Sequence, residues 1–375
     1  MTKIQKIELF DIKLPLLGGF KSSQAMMHEK QAIVLKLSNA KGESIWSECV
    51  ALPTPHYMPE ILDTAWIMMR DWVAPAVVGK SFDHPTQVAP LLDRLINGHS
   101  MAKAAIEMGI WAMAALEHQQ SLARFLGGNT AEVESGVVIG VQSNELALLQ
   151  KVEAALGEGY KKIKIKIAPG YDDVPLKAIR NEFGNSISLA VDANSAYSLT
   201  DIEQLKRLDQ WRLMMIEQPF SVHRTRDHAQ LVTELETPIC LDESIQTIED
   251  AHSMITDQTG AIINIKAGRV GGFRSALAIR DICQDNGIPV WCGGMLETGI
   301  GRAYNVALAS CSNFILPGDI SASNRYFEHD IVSPAWQLNP SGQIDVPLDS
   351  VGLGVTVDEA RIRELAVRDI SIQSD

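Results

Sequence analysis

The sequence lacks any apolar run that approaches the roughly 18 residues of a membrane span. It also lacks a basic run of the kind that binds a phosphate backbone. Lys and Arg number 33 against 46 Asp and Glu, which gives a formal net charge of −13. We therefore expect neither a membrane nor a nucleic acid as a partner. At 375 residues and 46% hydrophobic, the chain can bury a large core in one or two domains.

Cysteine is also scarce, and no two cysteines have C-x-x-C spacing. The five residues are Cys49, Cys240, Cys283, Cys292 and Cys311. Their odd number and scattered positions predict reduced thiols. The opening "MTKIQKIELFDIKLPLLGG" mixes charged with apolar residues and has no signal-peptide core. We therefore expect a cytoplasmic protein.

The first part of the chain has mixed periodicity. The segments "IQKIELFDIKL" and "AIVLKLSNAKGESIW" alternate like strands, the second with a turn around Asn39 and Gly42. An Ala-rich stretch with helical spacing then runs from Met101 to Leu126 and ends at two glycines. These patterns predict strands first and a long helix after them.

Five short apolar runs follow, and each ends in one ionisable residue 24 to 26 residues after the previous one. The runs are "KIKIK" to Lys166, "SISLAVD" to Asp192, "LMMIE" to Glu217, "PICLD" to Asp242 and "AIINIK" to Lys266. That spacing is typical of one strand, one helix and their loops.

Three more strand candidates, "SGVVIGV", "IPVWCGG" and "FILPGD", bring the count to eight. The stretches between the central runs have helical spacing with polar faces. Eight alternating units predict an α/β fold of the (β/α)8 barrel type. The alternative is an open doubly wound sheet, but no G-x-G-x-x-G follows the first strand to support it.

A branched aliphatic precedes each terminal charge, and neighbouring strand residues face opposite sides of a sheet. These aliphatics are Ile165, Val191, Ile216, Leu241 and Ile265. In a barrel they would pack against the helices, and the charged residues would face the lumen at the strand ends where barrel active sites lie. The alternative is a structural belt of salt bridges. Five charges with one spacing and one parity argue against it.

The three acids, Asp192, Glu217 and Asp242, offer hard oxygen ligands on consecutive strands. They predict a Mg²⁺ site, with Mn²⁺ as the other candidate ion, that leaves ligand positions free for a substrate carboxylate or water.

Lys166 and Lys266 lie on either side of these acids. A nearby divalent ion and Lys164, on the same strand face, are expected to lower the pKa of Lys166 and make it a general base. The chemistry that fits is abstraction of a proton α to a carboxylate. The ion and the second lysine would stabilise the resulting enediolate.

These motifs resemble the enolase superfamily in its muconate-lactonizing subgroup, and within it the N-acylamino acid racemase/o-succinylbenzoate synthase family. The matching stretches are "KIK" at 164–166, "DAN" at 192–194, "IEQP" at 216–219, "LDES" at 241–244, "IKAGRVGG" at 265–272, "WCGGMLETGIGRAYNVALAS" at 291–310 and "LPGDISASNRYFEHDI" at 316–331. The resemblance covers essentially the whole chain.

The resemblance implies an α+β capping domain over residues 1–128 and a modified (β/α)7β barrel over 129–325. Residues 326–375 would return to the capping domain. Two capping loops, near 18–23 and 53–57, would close over a small carboxylate substrate. Relatives of this kind often assemble, so a homo-oligomer is expected.

The resemblance also implies site roles. Asp192, Glu217 and Asp242 would bind Mg²⁺, Lys166 would be the base on one substrate face, and Lys266 would lie opposite. The implied substrate contacts are Lys164, Asn194, Arg269, Gly294, Met295 and Glu297. Among them, Arg269 matches a position associated with racemase competence.

Three positions depart from the family pattern: Val138 replaces a frequent Ser, Ala112 a frequent Asp, and Ala267 a frequent Pro. Loss of the Ser hydroxyl removes a candidate contact to a substrate carboxylate. None of the three belongs to the metal and lysine set, so they affect the expected substrate rather than the reaction class.

The expected activity is o-succinylbenzoate synthase, which dehydrates a succinyl-hydroxycyclohexadiene carboxylate in menaquinone biosynthesis. N-acylamino acid racemisation is the alternative, and dipeptide epimerisation is a third option. Two readings of another class stay open: a Schiff-base aldolase that uses a strand-end lysine, and a non-catalytic binding barrel.

Overall fold

The computed structural model describes residues 1–21 and 26–374. Ser22 and Ser23 of the first expected capping loop therefore lie outside the described residues. Within the described ranges, no helix combines the length and the apolar composition that a membrane crossing requires.

Strands and helices alternate along most of the chain. The strands are β1 Thr2–Lys21, β2 Met26–Asn39, β3 Ser44–Cys49, β4 Ser81–Phe82, β5 Glu132–Glu134, β6 Gly136–Ile139, β7 Lys162–Lys166, β8 Leu189–Asp192, β9 Ile216–Glu217, β10 Ile239–Leu241, β11 Ile262–Ile265, β12 Val290–Cys292, β13 Val332–Ser333, β14 Gln343–Asp345, β15 Thr356–Val357 and β16 Ala366–Gln373. The α-helices are α1 Leu62–Met68, α2 Ala74–Val77, α3 Val88–Leu95, α4 Ser100–Glu117, α5 Leu122–Phe125, α6 Glu145–Gly157, α7 Asp173–Phe183, α8 Ile202–Lys206, α9 His228–Glu234, α10 Ile248–Asp257, α11 Phe273–Asp285, α12 Gly299–Ala309 and α13 Glu359–Leu365. Shorter 3₁₀ or π turns are Met69–Val73, Pro85–Gln87, Leu199–Asp201, Arg207–Trp211, Val222–Asp227 and Ser323–Arg325.

The capping domain is built on an antiparallel sheet in the order β16-β1-β2-β3, with β4 on β1. The predicted hairpin is confirmed: β2 and β3 pair from Ile33 opposite Cys49 to Ser38 opposite Ser44. Its turn uses Gly42 at φ 81°, a left-handed conformation that glycine adopts without strain. The chain's last strand, β16, completes this sheet against β1.

The predicted long helix is broken in the structure. It ends at Glu117, and α5 is a separate turn of helix. Gln119 adopts a left-handed backbone at φ 56°, and the Ser121 hydroxyl accepts a hydrogen bond from Arg124 N at 3.2 Å. An N-cap of this kind starts a new helix. The prediction of one helix to Leu126 was therefore wrong in its length.

Seven parallel strands form the barrel, in the unbroken order β6 to β12. The eighth candidate strand is only a pair of bridges: Phe314 pairs with Val290, and Gly318 pairs with Ser135. Because these bridges join the last strand to the start of the first, they close the ring. Helices such as α6, α7, α10 and α11 cover its outside, as the spacing predicts.

Strand parity divides the barrel into layers as expected. The aliphatics before each charge belong to the main hydrophobic core that includes the helices. A smaller cluster fills the lumen below the charged residues: Ala190, Met215, Cys240, Ile262 and Trp291. The charged strand ends thus lie on an apolar floor.

After the barrel, the chain returns to the capping domain through several short strands. β14 pairs with β5, and β13 pairs with β15, before α13 and β16 reach the capping sheet. The boundaries placed at residues 128 and 325 stay a prediction.

Candidate active site

A cavity of about 820 Å³ opens between the carboxyl ends of the barrel strands and the capping domain. Parallel strands direct their ends to one side of a barrel, so residues distant in sequence meet there. The predicted residues on its wall are Lys164, Lys166, Asp192, Asn194, Lys266, Gly294 and Met295.

The strand ends place the five predicted charges in a row. Lys166, Asp192 and Glu217 are the last residues of β7, β8 and β9, and they pair in register across these strands. Asp242 and Lys266 follow directly after β10 and β11. The acids therefore lie between the two lysines.

Lys166 is held by two oxygens. Its Nζ lies 2.6 Å from Asp192 Oδ2 and 2.8 Å from Asn194 Oδ1. The Asn194 backbone N–H donates to Asp192 Oδ1 at 2.9 Å, and its side-chain amide donates to Glu243 at 3.2 Å. Although burial alone would raise the pKa of Asp192, Lys166 and Lys164 hold it below the ordinary value.

Lys266 lies at the other end of the row. Its Nζ donates to Asp242 Oδ2 at 2.7 Å and to the Tyr57 hydroxyl at 3.1 Å. Burial alone would lower the pKa of this ammonium, but Tyr57, Glu217 and Glu243 raise it above the ordinary lysine value. The contacts with Asp242 and Tyr57 favour the charged form of Lys266.

Lys164, two residues before Lys166 on β7, lies among carboxylates. Its Nζ is 2.6 Å from Glu217 Oε2, 2.6 Å from Asp319 Oδ2 and 3.6 Å from Asp192 Oδ2. Burial alone would lower the pKa of Lys164, but these three acids raise it. Below it, Lys162 Nζ lies 3.0 Å from Asp319 Oδ1 and 3.6 Å from the centre of the Trp291 ring.

Two predicted substrate contacts do not line the cavity. Arg269 is fully buried behind Asp242: its guanidinium contacts that carboxylate and donates to Tyr57 at 2.9 Å and to the Ile245 carbonyl at 2.7 Å. Glu297 turns back to accept a hydrogen bond from Met295 N at 2.7 Å. Their placement suits positioning of neighbours rather than substrate contact.

Several residues of the site were missed by sequence reasoning. Asp319 ends the eighth strand candidate "FILPGD", so the rule that found the other charges also points to it. Asn264 lies on β11, two residues before Lys266, so the two side chains point to the same side. The Asn264 amide donates a hydrogen bond to Glu217 Oε1 at 2.7 Å. Tyr57 belongs to the second expected capping loop, but its contacts with the strand-end charges were not predicted, and no periodicity marks them.

Val138, which stands where relatives often have Ser, lines the cavity. Its carbonyl accepts a hydrogen bond from Arg325 at 3.0 Å. Its side chain offers the cavity an apolar surface without a hydroxyl.

The donor set fits a hard divalent cation. Asp192, Glu217 and Asp242 supply carboxylate oxygens on three neighbouring strand ends. Glu243 Oε2 is buried without a hydrogen-bond partner, and burial together with Asp192 raises the pKa of Glu243. A cation here would relieve this concentration of negative charge.

In the conformation described, ammonium groups contact these carboxylates instead. Lysine or arginine nitrogens lie against Asp192, Glu217 and Asp242. Within residues 1–21 and 26–374, no three acidic, His or Cys side chains are already arranged as a metal site. Binding of Mg²⁺ would exchange some of these ion pairs for metal bonds.

The arrangement can bind a carboxylate between two lysines. Lys166 on β7 and Lys266 after β11 are separated by the three acid-bearing strand ends. A substrate lying over the acids would present one face to each lysine. Such a pair supports proton transfer at a carbon next to a carboxylate.

Comparison with known proteins agrees with this geometry. Residues 6–127 match the mandelate racemase/muconate lactonizing enzyme N-terminal domain, and residues 147–361 match the enolase C-terminal domain-like family. The chain is 43% identical to the o-succinylbenzoate synthase of Bacillus subtilis over 98% of both chains. It is 42% identical to an N-succinylamino acid racemase of Amycolatopsis, covering 94% of this chain and 95% of the relative.

A solved structure of an enolase-superfamily member from Listeria innocua superposes with a TM-score of 0.95 at 40% identity, over 100% of both chains. The barrel and its cap are thus shared with a solved member of this superfamily. The chain belongs to the enolase superfamily, in the family of o-succinylbenzoate synthases and N-succinylamino acid racemases.

Proposed function

We propose that this protein is an o-succinylbenzoate synthase that removes the proton α to a substrate carboxylate and then expels a neighbouring hydroxyl as water. The observation that carries this proposal is the placement of Lys166 and Lys266 on one cavity, on either side of three strand-end acids. Relatives from Bacillus subtilis, Listeria innocua and Geobacillus kaustophilus, 40 to 43% identical, bear the synthase name.

Lys166 is the base. Its side chain is 16% exposed on the cavity wall, and Asp192 and Asn194 fix the position of its nitrogen. The neutral amine takes the α-proton, and the C–H electron pair moves into the substrate carboxylate to give an enediolate. The same ammonium then gives its proton to the departing hydroxyl as the C–O bond breaks, so that water leaves and charge balances.

Lys266 remains a cation through this reaction. Its raised pKa suits an ammonium that faces the enediolate. Asp192, Glu217 and Asp242 would hold Mg²⁺, which supplies positive charge to the substrate carboxylate when bound. Enzymes of this superfamily combine a basic residue with one or two Mg²⁺ ions.

The test is turnover of the succinyl-hydroxycyclohexadiene carboxylate with Mg²⁺, against the same sample with EDTA. We expect metal-dependent loss of substrate, and a fall of at least a hundredfold in kcat for Lys166→Ala, since general base catalysis contributes about 10²–10⁴. The matched control is Lys161→Ala, which removes an exposed lysine just before the same strand. No turnover by folded, metal-loaded wild-type protein would reject the synthase assignment.

N-succinylamino acid racemisation is the second candidate activity. The second lysine on the cavity supports it, as do relatives from Amycolatopsis at 42% and Thermus thermophilus at 39% identity. In this reaction one lysine removes the proton and the other returns one to the opposite face. Lys266 would then have to exchange protons rather than stay charged.

Lys266→Arg separates the two activities. Arginine keeps the cation but cannot serve as a base. We expect dehydration to stay within about tenfold of wild type while racemisation falls by at least a hundredfold, in line with the size of a general-base contribution. The loss of optical rotation of a single enantiomer of the N-succinylamino acid measures racemisation, and equal losses in both activities would contradict the assignment of a one-base dehydration.

Other readings have less support. A dipeptide epimerase of Cytophaga hutchinsonii is 27% identical. A Schiff-base aldolase needs a neutral amine, and the raised pKa of Lys266 disfavours one at that position. A homo-oligomer and a cytoplasmic location stay predictions.

A further inference from the structure

The strand that carries the proposed base also carries a lysine that the proposed reaction does not use. Lys162 begins β7 and shares the parity of Lys164 and Lys166, so the three side chains point to the same side of the sheet. Lys162 is 0% exposed, whereas the Lys166 side chain is 16% exposed on the cavity wall. A ligand in the cavity therefore cannot touch Lys162, and any effect on binding must pass through its neighbours.

The barrel leaves a fitted space for this lysine. Gly136 begins β6 and pairs in register with Lys162 on the neighbouring strand. A Cβ at Gly136 would lie 2.5 Å from Lys162 Cε, well inside the usual distance between non-bonded carbon atoms. The Lys162 ammonium lies 3.6 Å from the centre of the Trp291 ring, in a cation–π contact. The lysine is thus a packed part of the floor below the cavity.

Lys162 shares one carboxylate with Lys164. Asp319 Oδ1 lies 3.0 Å from Lys162 Nζ, and Asp319 Oδ2 lies 2.6 Å from Lys164 Nζ. Lys164 also lies 2.6 Å from Glu217 and 3.6 Å from Asp192. Without Lys162, these three carboxylates would surround the single ammonium of Lys164.

Asp319 and Lys162 stabilise each other's charge. Burial alone would raise the pKa of Asp319, but Lys162 and Lys164 hold it below the ordinary value. Burial lowers the pKa of Lys162, and the Asp319 carboxylate opposes this change. Buried charges are screened by salt much less than exposed ones, so the charge of Lys162 is felt in the cavity above it.

We propose that Lys162 is a positioning residue that compensates the charge of Asp319 and thereby sets the balance between anion and cation binding in the cavity. With Asp319 compensated, Lys164 keeps its positive charge available to a substrate carboxylate. Without Lys162, the excess negative charge would favour Mg²⁺ and disfavour a carboxylate. This inference rests on the proposed function for its two ligands.

Two binding measurements by isothermal titration calorimetry test this role without turnover. The first titrates Mg²⁺ into the protein, and the second titrates o-succinylbenzoate, the product of the proposed reaction, into Mg²⁺-saturated protein. Lys162→Met keeps the length of the side chain without its charge, Lys162→Arg keeps the charge, and Asp319→Asn removes the opposite charge. The control is Lys161→Met, which removes the exposed lysine one residue earlier.

We expect Lys162→Met to bind o-succinylbenzoate about tenfold more weakly and Mg²⁺ about tenfold more tightly than wild type, since a buried charge roughly 7 Å away has an effect of at least this size. Asp319→Asn should show the reverse pattern. For both ligands, Lys162→Arg and Lys161→Met should stay within about threefold of wild type, because neither changes the buried charge.

A purely structural role would weaken binding of both ligands in Lys162→Met. Shifts in one direction for both ligands, or no shift, would therefore overturn the proposal. Lys162→Arg with the affinities of Lys162→Met would overturn it as well. If Lys162→Met does not fold, Asp319→Asn decides, and anything other than tighter o-succinylbenzoate with weaker Mg²⁺ would overturn the proposal. Failure of the proposed function appears separately, in wild type, as absence of turnover of the precursor.

Discussion

The Tyr57 hydroxyl connects the second capping loop to the strand-end charges. It donates to Asp242 Oδ1 at 3.0 Å and accepts from Lys266 at 3.1 Å and Arg269 at 2.9 Å. One oxygen from the cap thus meets an acid and two cations of the barrel. It orients Lys266 more directly than it orients Lys166, which is bonded to other partners.

Tyr57→Phe should therefore affect the two activities unequally. We expect the kcat of racemisation to fall about tenfold, because one charge-assisted hydrogen bond that fixes Lys266 is lost. Dehydration, which requires only that Lys266 stay charged, should fall by less than about threefold. Steady-state kinetics on both substrates measures the ratio. Equal losses would show that the hydroxyl acts through Asp242 instead.

The sequence predicts the strand-end residues well because strand parity and constant spacing dictate where their side chains point. Lys166, Asp192 and Glu217 lie at strand ends for that reason. Tyr57 could not be found in this way, since a loop residue reaches its partners through tertiary packing. Arg269 shows the opposite case: its position in the chain was informative, but only the fold reveals that it lies behind Asp242.

At the scale of elements, α4 is a buried helix that caps another helix. Its Glu107 accepts hydrogen bonds from Phe273 N at 2.8 Å and Arg274 N at 3.1 Å, the first amides of α11. The residue before α11 is Gly272, which has no side chain to cap them. A carboxylate from the capping domain thus satisfies the N-terminus of a barrel helix.

Burial raises the pKa of Glu107 to about 7, against the opposing effect of the two amides. Between its ordinary value of 4.5 and about 7 the folded state binds this proton more tightly than the unfolded state. The contribution of Glu107 to the free energy of unfolding is therefore complete at low pH and is lost as pH rises through 7. Between pH 4.5 and about pH 7, the free energy of unfolding falls by roughly 3 kcal/mol through this group.

Glu107→Gln should reduce this pH dependence. We expect the difference in unfolding free energy between pH 5 and pH 8 to change by up to about 3 kcal/mol relative to wild type, because the amide does not titrate. Urea denaturation at the two pH values measures it. The control is Glu182→Gln, an exposed residue of α7. Parallel pH curves for wild type and Glu107→Gln would contradict the assignment.

The sequence predicts some secondary-structure elements more accurately than others. The hairpin and the central barrel strands appear where alternation and spacing place them. The break after Glu117 was missed because helical spacing of apolar residues continues through it, whereas the Ser121 cap and the left-handed Gln119 interrupt the backbone. The eighth strand is reduced to bridges because Phe314 and Gly318 pair with different neighbours.

At the scale of the molecule, the site lies between two domains that dock through helix ends. The capping domain supplies Glu107 to α11 and Glu48 to α12. It also supplies Lys30, whose ammonium donates to the Met295 carbonyl on the cavity wall at 3.2 Å. These partners are separated by 166 to 265 residues in the chain. No local pattern marks such pairs, so the sequence predicts two domains but not how they dock.

Glu48 receives several hydrogen bonds across this interface. Its carboxylate accepts from the Thr298 hydroxyl at 2.7 Å, from Thr298 N at 3.1 Å and from Gly301 N at 3.0 Å. It is buried, and burial raises its pKa even though Lys30 and Thr298 oppose the shift. Removal of the carboxylate would leave donors of the first turn of α12 buried without a partner.

Glu48→Ala should therefore loosen α12 before it affects the barrel strands. We expect the free energy of unfolding to fall by roughly 3 kcal/mol, the cost of buried donors left unsatisfied. Hydrogen exchange read by mass spectrometry should show faster exchange at residues 295–304, with protection at residues 162–166 of β7 nearly unchanged. Because Met295 borders the cavity, KM should rise while kcat changes less. Equal loss of protection in both peptides would mean that Glu48 supports the whole molecule, and unchanged protection in 295–304 would mean that the interface is held by other contacts.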